Sequence, residues 1–290
     1  MRVLVTIDLS EAYDTFCARA RPVLDRLDAT VDVLYAGRAP ALPHVHGELM
    51  GVVDAARGQI QAAWEDQLVA ALELLAPKER RGVPIVTFDK PAAEAIVERV
   101  VGRDLVLVGT HGRQGMARAW IGSVAERVVR TCPIPVLVLH GTLPPPDKAL
   151  SMLVSVDLAS PHPLADTAGV WADHFRAVAD ALFVHRKMPL VDTEDLPLGQ
   201  TWSGTVKETL EENKRELATR TASWQAAVRG EMRAELGEPA DTVLAEAQKY
   251  GLVAVSTHGR TGLTRMWMGS VAERVARMSP VPVLVIPPKP

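Results

Sequence analysis

The chain has 290 residues, of which 48% are apolar and 23% charged, with a formal net charge of -3. That is globular composition with room for two domains of ordinary size, and it excludes any general electrostatic pull toward nucleic acid or an anionic membrane. Two cysteines, Cys17 and Cys132, stand in unrelated contexts and form neither a CxxC pair nor a disulfide framework, which predicts a cytoplasmic protein. Met1 leads straight into a strand pattern, and no run approaches membrane-spanning length, so neither a signal peptide nor a membrane span is expected.

In chain order, Val3-Leu-Val-Thr-Ile7 reads as a short buried strand ending at Asp8. Ser10 is a candidate N-cap for a helix running to about Leu27, with Phe16, Ala20, Val23, Leu24 and Leu27 at helical spacing and a kink expected at Pro22. Asp8 has two readings, a cap for this helix or a ligand-facing carboxylate. Thr30 to Tyr35 is the second strand, with Ala36-Gly37 as its exit. The loop beyond holds His44 and His46, which lack carboxylate or Cys partners and read as solvated rather than as metal ligands. A long amphipathic helix from about Glu48 to Leu75 presents Ile60, Trp64, Leu68, Leu72 and Leu75 on one face. Val83 to Phe88 is the third strand, and a helix opened by Pro91 follows.

Leu105-Val-Leu-Val108 is a fourth buried strand, and with it begins a stretch that occurs twice. Gly109 to Val128 reappears as Ser256 to Val275, about 147 residues later, a separation that means a duplicated domain. The first loop carries Gly109, Gly112 and Gly115, which permit a sharp turn and close approach of a ligand, or serve the turn alone. Gly122-Ser123-Val124-Ala125-Glu126 then starts a helix. Ser123 and Glu126 have capping-box spacing, and Val124 with Val128 forms an apolar face. A helix start at the carboxyl end of a strand offers backbone N–H groups and the positive end of the dipole to a phosphate. Pro133 and Pro135 precede the last strand, Val136 to Leu139. Strand and helix thus alternate through five strands, which predicts a doubly wound parallel sheet with its ligand crevice at the carboxyl ends of the strands.

His140 to Leu150 reads as a short stiff linker around Pro144-Pro-Pro146. A second strand–helix series restarts at Met152, and Asp157 repeats Asp8. Val170, Trp171, Phe175 and Val178 are assigned to its first helix, Ala181 to His185 to its second strand and Glu231 to Leu236 to its third. A charged helix spans about Val206 to Val228, and Pro239 opens the next as Pro91 does. The expected domains are residues 1–143 and 150–290.

The pattern Gly109-x-x-Gly112, nine residues, Gly122-Ser123, between apolar strands, together with Asp8-x-Ser10, resembles the universal stress protein family, and two such domains resemble its tandem members. The resemblance covers nearly the whole chain. It implies an α/β, Rossmann-like, adenine nucleotide alpha hydrolase-like fold in each half. It also implies ATP, with or without Mg, held by Asp8, Ala36, Gly109, Gly112, Gly122, Ser123 and Val124, and in the second half by Asp157, Gly259, Gly269 and Ser270. Ser256 replaces the first glycine there, and His185-Arg186 end the second strand, so the second half is expected to bind less well. The family further implies intrachain pairing of the two domains near their last strands, which leaves a homodimer of chains optional. Three functions stay open: a non-enzymatic ATP-binding stress or signalling protein, a slow ATPase, and a scaffold that binds no nucleotide. No Gly-Lys-Ser/Thr phosphate loop and no metal-carboxylate pair beside a base favours the ATPase, although Arg113 and Arg118 are available as charge partners for phosphates.

Overall fold

The computed structural model describes residues 1–9, 13–37, 49–88, 90–110, 121–159, 164–186, 199–257 and 269–288. The chain divides into two units, Met1–Pro146 and Asp147–Pro290. Unit 1 runs β1 (Arg2–Thr6), α1 (Tyr13–Arg26), β2 (Thr30–Ala36), α2 (Leu49–Leu75), β3 (Arg81–Thr87), α3 (Ala92–Glu98), β4 (Leu105–Gly109), α4 (Ser123–Thr131) and β5 (Val136–Leu139). Its strands are all parallel, in the order β3-β2-β1-β4-β5. Unit 2 repeats the series as β6 (Leu150–Ser155), α5 (Leu164–Phe175), β7 (Ala177–Arg186), α6 (Gly199–Arg220), β8 (Arg229–Gly237), α7 (Pro239–Ala247), β9 (Leu252–Ser256), α8 (Ser270–Met278) and β10 (Val283–Ile286). Its order is β8-β7-β6-β9-β10, again parallel. Each unit is therefore a doubly wound five-stranded α/β domain, with the switch point between β1 and β4 in one and between β6 and β9 in the other. Strands buried on both faces need continuous apolar runs, and Val3–Val5, Leu105–Val108 and Val136–Leu139 are all buried.

An aspartate recurs at the amino-terminal side of each sheet, fully buried in unit 1 and half-buried in unit 2. Asp32 in β2 is fully buried and accepts hydrogen bonds from Arg2 Nε (2.7 Å), Arg103 Nε (2.8 Å) and the Val83 amide (2.9 Å). Asp180 in β7 takes the same place, accepting from the Glu231 amide (2.7 Å) and the Tyr250 hydroxyl (2.5 Å). Opposite each stands a glycine, Gly82 or Gly230, whose missing Cβ makes room for the carboxylate. Strand register shifts beside both aspartates. The duplication thus kept the Asp–Gly device and changed its partner from arginine to tyrosine.

Several expectations are corrected. Val178 lies in β7, not in the preceding helix, and it and Val170 are exposed; α5 ends at Phe175 and buries Leu164, Ala165, Ala168, Gly169, Trp171, Ala172 and Phe175. The helix expected to reach Val228 ends at Arg220. The turn beyond it drives Trp224 into the space a Cβ on Gly169 would need, and the Trp224 indole N–H donates to the Ala165 carbonyl at 2.6 Å. The Pro-rich connector is fastened to unit 1: Leu143 is buried, and the buried Arg26 guanidinium donates to the carbonyls of Pro144 (3.2 Å) and Pro145 (2.6 Å).

Candidate functional site

In a parallel sheet all carboxyl ends share one edge, and three of the unit 1 candidates stand on it. Asp8 follows β1 by two residues and is exposed. Ala36 ends β2, pairs with Thr87 and is half-buried. Gly109 ends β4 and pairs with Leu139. A Cβ on Gly109 would lie 2.9 Å from the Phe16 ring, so the space this glycine leaves is filled from α1. Any ligand contact at Gly109 therefore uses its backbone.

Helix α4 begins differently from the capping-box reading. Gly122 is its N-cap, with extended geometry (φ -67°, ψ 153°) and no side-chain cap hydrogen bond. Ser123 is the first helical residue and exposed, and the first main-chain bond runs from the Glu126 amide to the Gly122 carbonyl at 2.9 Å. Glu126 pairs with Arg130 one turn on, at 2.8 Å, instead of returning to the cap. A glycine cap carries no side-chain acceptor, so the first-turn N–H groups, those of Ser123 and Val124 included, have no partner within their own helix. The apolar face is Ala125, Val128 and Val129; Val124 is 40% exposed and stands with Ser123 on the solvent side. Ser10, Gly112, Arg113, Gly115, Arg118, His44, His46 and Gly259 lie outside the described residues.

Unit 2 presents the same edge with different fittings. Gly269 is the N-cap of α8 (φ -61°, ψ 144°), again without a side-chain cap, and Ser270 is the first helical residue. The Gly269 amide donates to the Thr257 carbonyl at 2.9 Å, which sets the start of α8 against the residue that follows β9. Asp157 is already engaged, its carboxylate accepting the Ala159 amide at 2.9 Å in a local turn. Strand pairing also corrects the comparison of the second strands. Thr6 pairs with Leu34 and Ser155 with Leu182, so Val184 is the counterpart of Ala36, and His185 that of Gly37. As expected, β7 ends at His185 and Arg186, which pair with Leu236 and Gly237 of β8. The burial pattern aligns Phe16, Cys17, Ala20, Val23 and Leu24 with Leu164, Ala165, Ala168, Trp171 and Ala172. By that alignment Leu164 is the counterpart of Phe16, as Ser256 is of Gly109.

Beside Ala36 stands an aromatic corner that sequence periodicity does not reveal. Tyr35 meets Trp64 edge-on at 5.1 Å between ring centroids, and Trp64 meets Phe88 at 5.8 Å. Burial first, and then the Asp8 carboxylate, push the Tyr35 phenol above its ordinary value. The Tyr-x-Gly exit of β2 was the available signal, because a glycine there leaves room for the ring to fold back. Among the described residues no cluster of His, Cys, Asp and Glu is arranged to hold a metal ion, and no helix is long and apolar enough to cross a membrane. Both cysteines are buried free thiols, and burial pushes Cys17 up to about 12 and Cys132 up to about 11.

The family model described as "Universal stress protein family" matches residues 1–140 and again 152–287. A universal stress protein of Mycolicibacterium smegmatis is 32% identical over 202 residues, covering 68% of this chain and 66% of the relative. A Mycobacterium bovis universal stress protein is 32% identical over 188 residues, covering 63% and 61%. One from Mycobacterium tuberculosis H37Rv is 32% identical over 218 residues, covering 71% and 70%. The chain thus spans slightly less than two thirds of the first two relatives' lengths. Among solved structures, a universal stress protein from Archaeoglobus fulgidus DSM 4304 matches with a TM-score of 0.65 at 17% identity, covering 99% of this chain and 98% of that one. A functionally unknown Pseudomonas aeruginosa PAO1 protein gives 0.64 at 16%, covering 99% and 92%. At these identities the structural likeness is one of fold.

Proposed function

The chain belongs to the universal stress protein family, and on that premise we propose that unit 1 binds an adenine nucleotide, ATP in the first instance, as a stress or signalling protein of the cytoplasm that acts by binding rather than by catalysis. The observation that carries the reading is the start of α4. A glycine N-cap without a side-chain acceptor leaves first-turn N–H groups for an anion, at the carboxyl edge of a parallel sheet. Ser123, exposed at the first helical position, adds a hydroxyl to that set. Asp8 and Ala36, at the ends of β1 and β2, supply the nucleoside end, and Gly109 contributes backbone. The residues present fit the phosphates of ATP on the same ground, since uncapped amides favour anionic oxygens. Mg would come with the phosphates rather than from a protein cage. Gly112 belongs to the proposed set by its place in the sequence motif.

A specific observation favours a second role for unit 2. In unit 2 the Asp157 carboxylate accepts the Ala159 amide, and Ser256 stands where the first copy of the motif has Gly109. Unit 2 is the weaker binder, with Gly269 and Ser270 as its phosphate end, or a structural partner for unit 1. Heat extraction of the purified full chain, followed by chromatography and by calorimetry with ATP, tests the proposal. Co-purified or titratable nucleotide at one site per chain is expected. Absence of binding at millimolar ATP favours the scaffold reading, and phosphate release under single-turnover conditions favours the ATPase.

A further inference from the structure

We infer that the Tyr35 hydroxyl is a binding group for the nucleoside half of the nucleotide in unit 1, an inference that rests on the nucleotide reading above. Tyr35 is the penultimate residue of β2, and its ring folds over the strand's exit. A Cβ on Gly37 would lie 2.6 Å from Tyr35 Cε1 and 2.8 Å from its hydroxyl oxygen. The phenol therefore occupies the space just outside the Ala36–Gly37 backbone, and Gly37 is glycine because the ring is there. The ring is braced from α2 by the edge-on contact with Trp64, itself backed by Phe88.

The position joins two candidates. Asp8 lies close enough for its charge to act on the Tyr35 phenol across the ends of the neighbouring strands β1 and β2. A neutral phenol is both donor and acceptor, and it can serve a ribose hydroxyl or a base nitrogen beside an aspartate that only accepts. The phosphate end, by contrast, is built on β4 and α4, so the hydroxyl and the helix start address different parts of one ligand.

Unit 2 supplies the control. By strand register Phe183 is the counterpart of Tyr35, one residue beyond the Leu34 and Leu182 pairings. There His185 replaces Gly37; its ring meets Phe183 edge-on at 6.1 Å and its Nδ1 lies 3.4 Å from the Asn213 amide nitrogen of α6. Tyr35→Phe thus converts one atom of unit 1 to the identity already present in unit 2.

Calorimetry on the full chain with ATP and with ADP tests the inference, alongside thermal unfolding. Tyr35→Phe is expected to weaken both nucleotides by the same factor, about 3- to 10-fold, with the unfolding midpoint unchanged. Equal affinity in wild type and variant overturns the inference and leaves the nucleotide reading standing. A loss confined to ATP assigns the hydroxyl to the phosphate end and also overturns it. A wild-type chain that binds neither nucleotide removes the reading and the inference together.

Discussion

The Phe16 ring lies 2.9 Å from the place a Cβ on Gly109 would take, so the ring leaves room at this position for glycine alone. It predicts a size exchange between α1 and the end of β4. Gly109→Ala alone overpacks the contact and is expected to cost about 1–3 kcal/mol. Adding Phe16→Leu, which puts a smaller side chain in the ring's place, should recover most of that loss. A double-mutant cycle by denaturant unfolding measures the coupling, and simple additivity of the two changes would refute the exchange.

The Asp32 cluster predicts acid sensitivity. Burial pushes the Asp32 carboxyl up, but the bonds from Arg2 and Val83 and the charge of Arg103 outweigh it and hold it below its ordinary value. A carboxylate depressed in the folded state stabilises above its unfolded value of about 3.9, and that contribution is lost as pH falls through the folded value. Asp32→Asn should remove this part of the slope below about pH 4. At neutral pH it should also cost roughly 3 kcal/mol, the low end for breaking a buried pair, because the Arg2 side chain is 45% exposed. Unfolding followed from pH 7 to pH 3 in wild type and variant checks both effects; parallel curves would count against the cluster.

Arg26 predicts a property of the connector. Its charged hydrogen bonds to Pro144 and Pro145 are worth about 1.5–3 kcal/mol together. Arg26→Ala, or Arg26→Met to keep the buried stem, should loosen residues 142–148 and raise their rate of limited proteolysis well before either unit unfolds. Unchanged cleavage with a lowered unfolding midpoint would mean that Arg26 serves only the core of unit 1.

The sequence makes the large features legible because they rest on periodicity and duplication. Buried parallel strands such as Val136–Leu139 are continuous apolar runs, and the recurrence of Gly122-Ser123 at Gly269-Ser270 locates both helix starts. Features that depend on side-chain partners far along the chain were hidden. Nothing near Asp32 in sequence announces Arg103, and nothing near Gly169 announces Trp224. The cap differs from its sequence signature for a local reason: Ser123 and Glu126 have the right spacing, but a glycine one residue earlier takes the cap and leaves the serine inside the first turn. Val178 falls in a strand rather than in the helix its spacing suggests because β7 begins after a single turn residue, Arg176, whose φ of 50° allows an abrupt exit from α5.

A glycine cap alters what the helix start predicts. Because the Ser123 side chain makes no cap hydrogen bond, Ser123→Ala should change stability by no more than about 0.5 kcal/mol, the level of an ordinary surface substitution. If its hydroxyl meets a phosphate oxygen, the same change should cost about 1.5–3 kcal/mol of ATP affinity, or roughly 10- to 100-fold. Gly122→Val should block the phosphate sterically and abolish binding in unit 1. Gly122 adopts φ -67°, a value open to valine, so the variant should still fold. The matching pair in unit 2, Ser270→Ala and Gly269→Val, should leave the unit 1 isotherm untouched. Calorimetry and thermal unfolding of the four variants separate the cases. Full ATP affinity in Gly122→Val would move the site out of unit 1, and a Ser123→Ala variant weaker in stability but not in binding would return the serine to a capping role.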